Sequence, residues 1–284
     1  MISIIIPYHN ASQFIHATLA SVYQQKNVDI EVIVVDDGSD DEHVEVLRKC
    51  RARYEFKLIT QANKGVSTAR NKGAVEAKGN HFLFLDADDT LTPKAAYSLL
   101  SMVKEEEVVM GNYLASSQAK ETKPNIADEQ FVQGNPIQLG TALIPRQVFK
   151  RVGGFNENLA YAEDMDFWFR LWMLKIPLTH IDELILNYRI HESSVMRQIH
   201  PRKFIDNQTA LRYRISQARK RKLLAKERIK VVLKRRLKTH HWYARELGFR
   251  YICKSYFISF MMGMGVLIVN WLLDDWRYIF GMSK

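Results

Sequence analysis

An α/β fold, with a mostly parallel sheet and helices on both faces, follows from two features of this 284-residue sequence. Short β-branched or aromatic runs alternate with stretches of helical periodicity from Ile2 to Val103. Several of those runs are also followed by stretches that gather carboxylates or glycines, at 36–40, 63–73 and 86–89. In an open α/β sheet the carboxyl edge of the strands is where ligands bind.

Taken in order, Ile2–Ile6 is a strand closed by Pro7, and Ile15, Leu19 and Val22 recur at helical spacing up to about Gln25. Glu31–Val35 is the second strand and ends in Asp36-Asp37-Gly38-Ser39-Asp40; a helix carrying Val44 and Leu47 leads to a third strand at Lys57–Thr60. Val66–Ala77 reads as a helix closed by Gly79, and His81–Leu85 as a buried strand. Pro93–Val103 is helical and Val108–Tyr113 a strand, whereas 115–135 is polar and patternless and reads as a mobile loop facing a ligand. Thr141–Ile144 is strand-like, Arg146–Val152 a short helix, Glu163–Leu174 a helix and Ile181–Ile190 extended.

The strand at 81–85 stops in Asp86, Asp88 and Asp89. Carboxylates at the end of a buried strand are costly without a positive partner. Asp86 and Asp88 stand two apart, so on extended backbone they point the same way and share one hard divalent cation, Mg²⁺ or Mn²⁺. The alternative is that Asp88 or Asp89 starts the next helix, but Thr92-Pro93 already supplies an N-cap and first-turn pair. Asp-Asp-Gly-Ser alone is an ordinary turn. At successive edges of one sheet, the three stretches together describe an acid-lined crevice suited to a metal-bridged nucleotide.

Composition is that of a globular chain, 47% hydrophobic and 25% charged. Cys50 and Cys253 have neither metal-ligand nor disulfide-framework spacing, which points to a reducing compartment, and no secretory signal is read before Ile2. The net charge of +10 is unevenly spread: 202–254 holds 18 Lys/Arg against 3 Asp/Glu, while 1–201 holds 21 against 26. A boundary near Pro201 is expected, separating a catalytic domain at 1–201 from a helical, basic and hydrophobic region at 202–284.

Five pieces in order carry a resemblance: Pro7-Tyr8-His9-Asn10; Val35-Asp36-Asp37-Gly38-Ser39; Asn63-Lys64-Gly65 with Ala69-Arg70-Asn71-Lys72-Gly73; Phe84-Leu85-Asp86-Ala87-Asp88-Asp89; and Gly153-Gly154-Phe155-Asn156-Glu157 before Glu163-Asp164-Met165-Asp166. Over roughly the first 200 residues the chain resembles the inverting family 2 glycosyltransferases, whose fold is the Rossmann-like GT-A fold; His9 departs from the small or polar residue usual in the family. The resemblance implies that Asp37 bonds the nucleotide base and that the backbone at Pro7 and Tyr8 lines the same pocket. It further implies that Asp86 touches ribose and metal, that Asp88 binds the metal, and that His191, after Tyr188-Arg189, helps hold metal or diphosphate. Asp164 is implied as the general base, with Glu163 beside it on the substrate side. Arg70 and Asn71 are read as braces, and Trp168 and Trp172 as core or acceptor-side packing. Asp164 and Asp166 also suit a helix first turn in their own right.

Beyond Pro201, Arg219-Lys220-Arg221-Lys222 and Lys234-Arg235-Arg236 alternate with apolar residues, and 255–273 is a 19-residue run without charge. Basic helices fit nucleic acid or an anionic membrane, and the uncharged run favours membrane, either spanning or lying in plane. The sequence therefore reads as a metal-dependent transferase moving a sugar from a nucleotide sugar, expected to be a UDP-sugar, to a glycan or lipid-linked acceptor. Its expected place is the cytoplasmic face of the inner membrane, in surface-polysaccharide assembly such as lipopolysaccharide or capsule, with no nucleic-acid partner. The alternatives are transfer onto a polyprenyl phosphate, which needs no base, and a non-catalytic nucleotide-sugar- or nucleic-acid-binding protein.

Overall fold

The computed structural model describes residues 1–191 and 201–221; the basic stretch beyond 221 and the uncharged run 255–273 lie outside them. In chain order the strands are β1 (Ile2–Tyr8), β2 (Ile30–Asp37), β3 (Lys57–Gln61), β4 (His81–Phe84), β5 (Thr90–Leu91), β6 (Val108–Ala115), β7 (Ala142–Pro145) and β8 (Leu178–Tyr188). The helices are α1 (Ser12–Tyr23), α2 (Asp41–Arg51), α3 (Val66–Glu76), α4 (Ala95–Ser101), α5 (Asp128–Gln133), α6 (Arg146–Val152), α7 (Glu163–Met173) and α8 (Pro201–Lys220). The described residues divide into two compact units, one made of 1–126 and 135–191, the other of 127–134 and 201–221.

The first unit is built on one sheet of order β3-β2-β1-β4-β7-β6-β8-β5. Its first four strands are parallel. From β4 outward β7, β6 and β5 pair antiparallel, and only β6–β8 is parallel. The parallel expectation thus holds for one half, because apolar runs reveal strands but not their direction. All seven residues of β1 are buried, as a strand covered on both faces requires. Ile2, Ile4 and Ile6 join Ile15, Leu19 and Val22 of α1 and Leu47 of α2 in one core. On the other face Gly73 of α3 lies so close to Ile5 that a Cβ there would meet its side chain at 2.5 Å.

Two local readings change. The helix after β5 starts at Ala95, not at Thr92-Pro93, and the Thr92 hydroxyl donates to Leu184 O (2.5 Å), a strand partner that outcompetes the cap. The stretch 115–135 is not a featureless loop: Tyr113 bridges to Thr122, and 128–133 forms α5. In the second unit α5 packs on α8, with Phe131, Val132, Ala210, Leu211, Ile215 and Ala218 buried. There the Arg214 Nε donates to Val132 O at 2.9 Å.

Two loops at the carboxyl edge approach closely at Gly38. Its φ is +71°, and a Cβ would stand 2.6 Å from the Asn63 backbone nitrogen. A left-handed residue with a side chain costs of order 1–3 kcal/mol. Gly38→Ala is therefore expected to lower stability by about 1–3 kcal/mol in urea denaturation, while an unchanged midpoint would show that the two loops part freely.

Candidate active site

The proposed site residues all belong to the first unit and gather at the carboxyl edge of the parallel strands, with α7 opposite. Pro7 and Tyr8 end β1 beside Val35 and Asp36 of β2. The Tyr8 ring is buried and its hydroxyl donates to His43 O (2.8 Å). Asp37 accepts from Gln61 Nε2 and from the backbone N–H groups of Lys64 and Gly65, each at 2.8 Å. Both of its oxygens thus tie the Asn63-Lys64-Gly65 loop to the end of β2.

Asp86, Asp88 and Asp89 follow β4, but not on extended backbone. The Asp89 N–H donates to Asp86 O (3.1 Å), closing a turn, and Thr18 Oγ1 donates to Ala87 O at 2.8 Å inside it. The expected side-by-side geometry therefore gives way to separate partners. Asp86 Oδ1 accepts from Arg70 Nη2 (2.7 Å), and Asp88 Oδ2 lies 2.8 Å from His191 Nε2. His191 stacks on Phe14 with 4.5 Å between ring centroids, and Asp89, 1% exposed, accepts the Arg189 N–H at 2.8 Å. Burial first, and then the charge of Asp86, raises the Asp88 carboxyl above its ordinary range. The same two causes, joined by Asp88, push Asp89 well above it. Burial and the three carboxylates likewise raise the Tyr188 hydroxyl.

Among the described residues no three His, Cys, Asp or Glu side chains stand as a ready metal cage. The donor set nonetheless suits a hard divalent cation, since burial and the charge of Asp86 raise the cost of ionising Asp88 and a cation relieves it.

Arg70, 4% exposed, spans this edge to α7: Nη2 holds Asp86 and Nη1 holds Glu163 Oε1 at 2.9 Å. Its guanidinium also lies over the Phe155 ring, 5.3 Å from the centroid. The next residue, Asn71, pins Phe155 from both sides, accepting its N–H (2.8 Å) and donating to its carbonyl (2.9 Å). Gly154 makes room for this at φ +67°, where a Cβ would meet Asn71 Oδ1 at 2.8 Å. Asp166 does not face the edge; it accepts from Arg170 Nε (2.8 Å), whose Nη2 donates to Gly154 O (2.7 Å). Trp168 is fully buried.

Asp164 is the half-buried carboxylate at the start of α7. Its Oδ2 accepts from Asn135 Nδ2 (2.6 Å) and its Oδ1 from the Met165 N–H (2.7 Å). Burial, then the charge of Glu163, pushes its pKa up to about 7, against the lowering effects of the Met165 N–H and Arg70. Asn135 was not foreseen from the sequence. It lies 29 residues from Asp164, in a Gly-Asn-Pro turn that has no periodicity to mark it. A separate cavity of about 550 Å³, lined by Asn80, His81, Lys104, Arg146 and Lys150, lies at the opposite, amino edge of the sheet and contains none of these residues.

The family model "Glycosyl transferase family 2" matches residues 3–156. "Putative glycosyltransferase EpsH" of Bacillus subtilis is 26% identical over 225 residues, covering 72% of this chain and 64% of its own length. An uncharacterized glycosyltransferase of Haemophilus influenzae is 31% identical over 160 residues, 53% of this chain and 64% of that protein. The chain thus spans under two thirds of the length of these relatives. The crystal structure of S. aureus TarS 1-349 superposes with a TM-score of 0.64 at 21% identity, covering 87% of this chain and 74% of that one. The same protein in complex with UDP-GlcNAc gives a TM-score of 0.67. At this identity the structural likeness establishes the GT-A fold alone.

Asp37 yields a direct test. Asp37→Ala leaves the Lys64 and Gly65 N–H groups without their acceptor and is expected to cost about 1–3 kcal/mol in urea denaturation. A variant as stable as the parent would show that the loop holds itself.

Proposed function

The chain belongs to glycosyl transferase family 2, and on that premise we propose that it moves a sugar from a nucleotide sugar to a hydroxyl of a glycan or lipid-linked acceptor, with inversion. The observation that carries the reading is one arrangement: Arg70 joins Asp86, at the strand edge, to Glu163, whose neighbour Asp164 has its pKa raised to about 7. A base works best when its pKa lies near the working pH.

In this reading the donor sits along 7–8, 37 and 86–88, with its diphosphate toward Asp88 and His191. The acceptor hydroxyl reaches the anomeric carbon from the α7 side. As the new C–O bond forms and the bond to the diphosphate breaks, the hydroxyl proton passes to Asp164 and the electron pair leaves with the nucleoside diphosphate. One base and one displacement invert the anomeric centre, by the logic that separates inverting from retaining glycosidases. A divalent cation, Mg²⁺ or Mn²⁺, held by Asp86 and Asp88 with His191 at hand, would supply Lewis-acid neutralisation of the departing diphosphate. Asn135 orients the carboxylate of Asp164, and Asp89 fixes the chain at Arg189 so that His191 stays against Asp88.

A UDP-sugar is the proposed donor; the UDP-GlcNAc complex of TarS supports it by likeness of fold. Among the described residues no helix is long and apolar enough to cross a membrane. The surplus of 15 positive charges over 202–254 supports a place at an anionic membrane surface. That in turn supports a lipid-linked acceptor at the cytoplasmic face, as in lipopolysaccharide or capsule assembly.

The test is nucleotide release from a panel of UDP- and GDP-sugars with Mn²⁺ or Mg²⁺. One donor is expected to turn over, with activity lost in EDTA and in Asp88→Ala, and transfer to an acceptor falling about 10²–10⁴-fold in Asp164→Asn. Turnover untouched by EDTA would remove the cation from the reading, and full transfer by Asp164→Asn would remove the base.

A further inference from the structure

We infer that Arg70 is the positioning residue of this site, a two-ended clamp that fixes the helix bearing the base relative to the strand edge bearing the donor. The inference rests on the glycosyltransfer reading and extends it to a residue whose guanidinium holds two carboxylates of the chain itself.

Geometry carries it. Arg70 is buried, and its two terminal nitrogens serve carboxylates from different elements, Asp86 after β4 at 2.7 Å and Glu163 at the head of α7 at 2.9 Å. A planar guanidinium holds two such partners at a fixed angle, which a single ammonium does not. The clamp closes beside a backbone outlier: Ala162, just before Glu163, sits at φ +64° although it has a Cβ. A conformation of that kind persists only where surrounding contacts over-determine it. Here those contacts are the Arg70–Glu163 pair, the Asn135 bond to Asp164, and the Asp166 N–H donating to Ala162 O at 3.0 Å. Asn71, one residue on along α3, anchors the same segment at Phe155. Helix α3 is therefore the rail against which the acceptor side is set.

Charge adds a second readout. The groups acting on Asp164 are Glu163 from α7, Asp86 from the β4 edge and Arg70 from α3; the first two raise its pKa and Arg70 lowers it. Neutralising Arg70 therefore moves the proton uptake of Asp164 to higher pH, whereas Arg70→Lys keeps the charge and loses the fork.

The experiment follows donor-to-acceptor transfer against pH for the parent, Arg70→Lys and Arg70→Gln, with folding of each checked by circular dichroism and thermal melting. Arg70→Lys is expected to lose about 10-fold or more in kcat with its acid limb in place. Arg70→Gln is expected to lose kcat and to shift that limb upward by about one pH unit. Should Arg70→Gln fail to fold, Glu163→Gln reports on the same clamp: it keeps the hydrogen-bonding shape, removes a charge that raises Asp164, and is expected to shift the limb downward. A folded Arg70→Lys with parental kcat, or a limb that stays put in both Arg70→Gln and Glu163→Gln, overturns the clamp while leaving glycosyltransfer intact. A parent protein that turns over no donor overturns the glycosyltransfer reading and the clamp with it.

Discussion

The rest of this structure depends on a crowd of carboxylates held around one buried guanidinium. Asp86, Asp88 and Asp89 at the end of β4 and Glu163 and Asp164 at the head of α7 meet at one edge of the sheet. Burial and mutual repulsion raise the carboxyls of Asp88, Asp89 and Asp164. Such a group is stable only with partners of opposite charge or with donors for every oxygen. Arg70 answers two of the five, a backbone N–H answers Asp89, an imidazole stands at Asp88 and an amide at Asp164. In the proposed reading the charge of Asp86 beside Asp88 is what a cation would relieve, and the raised Asp164 carboxyl is what would take up a proton.

The surrounding fold reads as the means of keeping that crowd in place. Continuous apolar strands, β1 above all, form a rigid floor that ends at one edge. Small residues then let loops approach closely: Gly38 admits the 63–65 loop, and Gly154 admits Asn71. Asp37 accepts three hydrogen bonds that tie one of those loops down, and Arg170 of α7 donates to the 152–154 turn. The chemistry sits on loops, but nearly every loop is held by a side chain from a strand or helix.

Much of this was legible in the sequence because it is local. The Ile-rich run of β1, the helical spacing of Ile15, Leu19 and Val22, and helix α6 from Arg146 to Val152 stand where the residues alone put them. The acidic pieces at successive strand ends also put Asp37, Asp86 and Asp88 at one edge, whereas Asp164 came only from the family resemblance. What escaped is non-local or geometric. Strand direction beyond β4 is set by tertiary pairing, and the turn at 86–89 by a buried bond from Thr18 on another helix. Phe131 and Val132, two apolar residues in a polar stretch, give no period until α8 covers them. Asn135 and the Arg70–Glu163 pair join residues 29 and 93 positions apart, which no spacing rule connects.

The central claim is that one base and one displacement perform the transfer. It is tested most directly by the anomeric configuration of the first-formed linkage, read by nuclear magnetic resonance before the product can equilibrate. From an α-configured nucleotide sugar the account predicts a β linkage. An α linkage would contradict it, because retention requires a second nucleophile or a same-face attack for which Asp164 has no role.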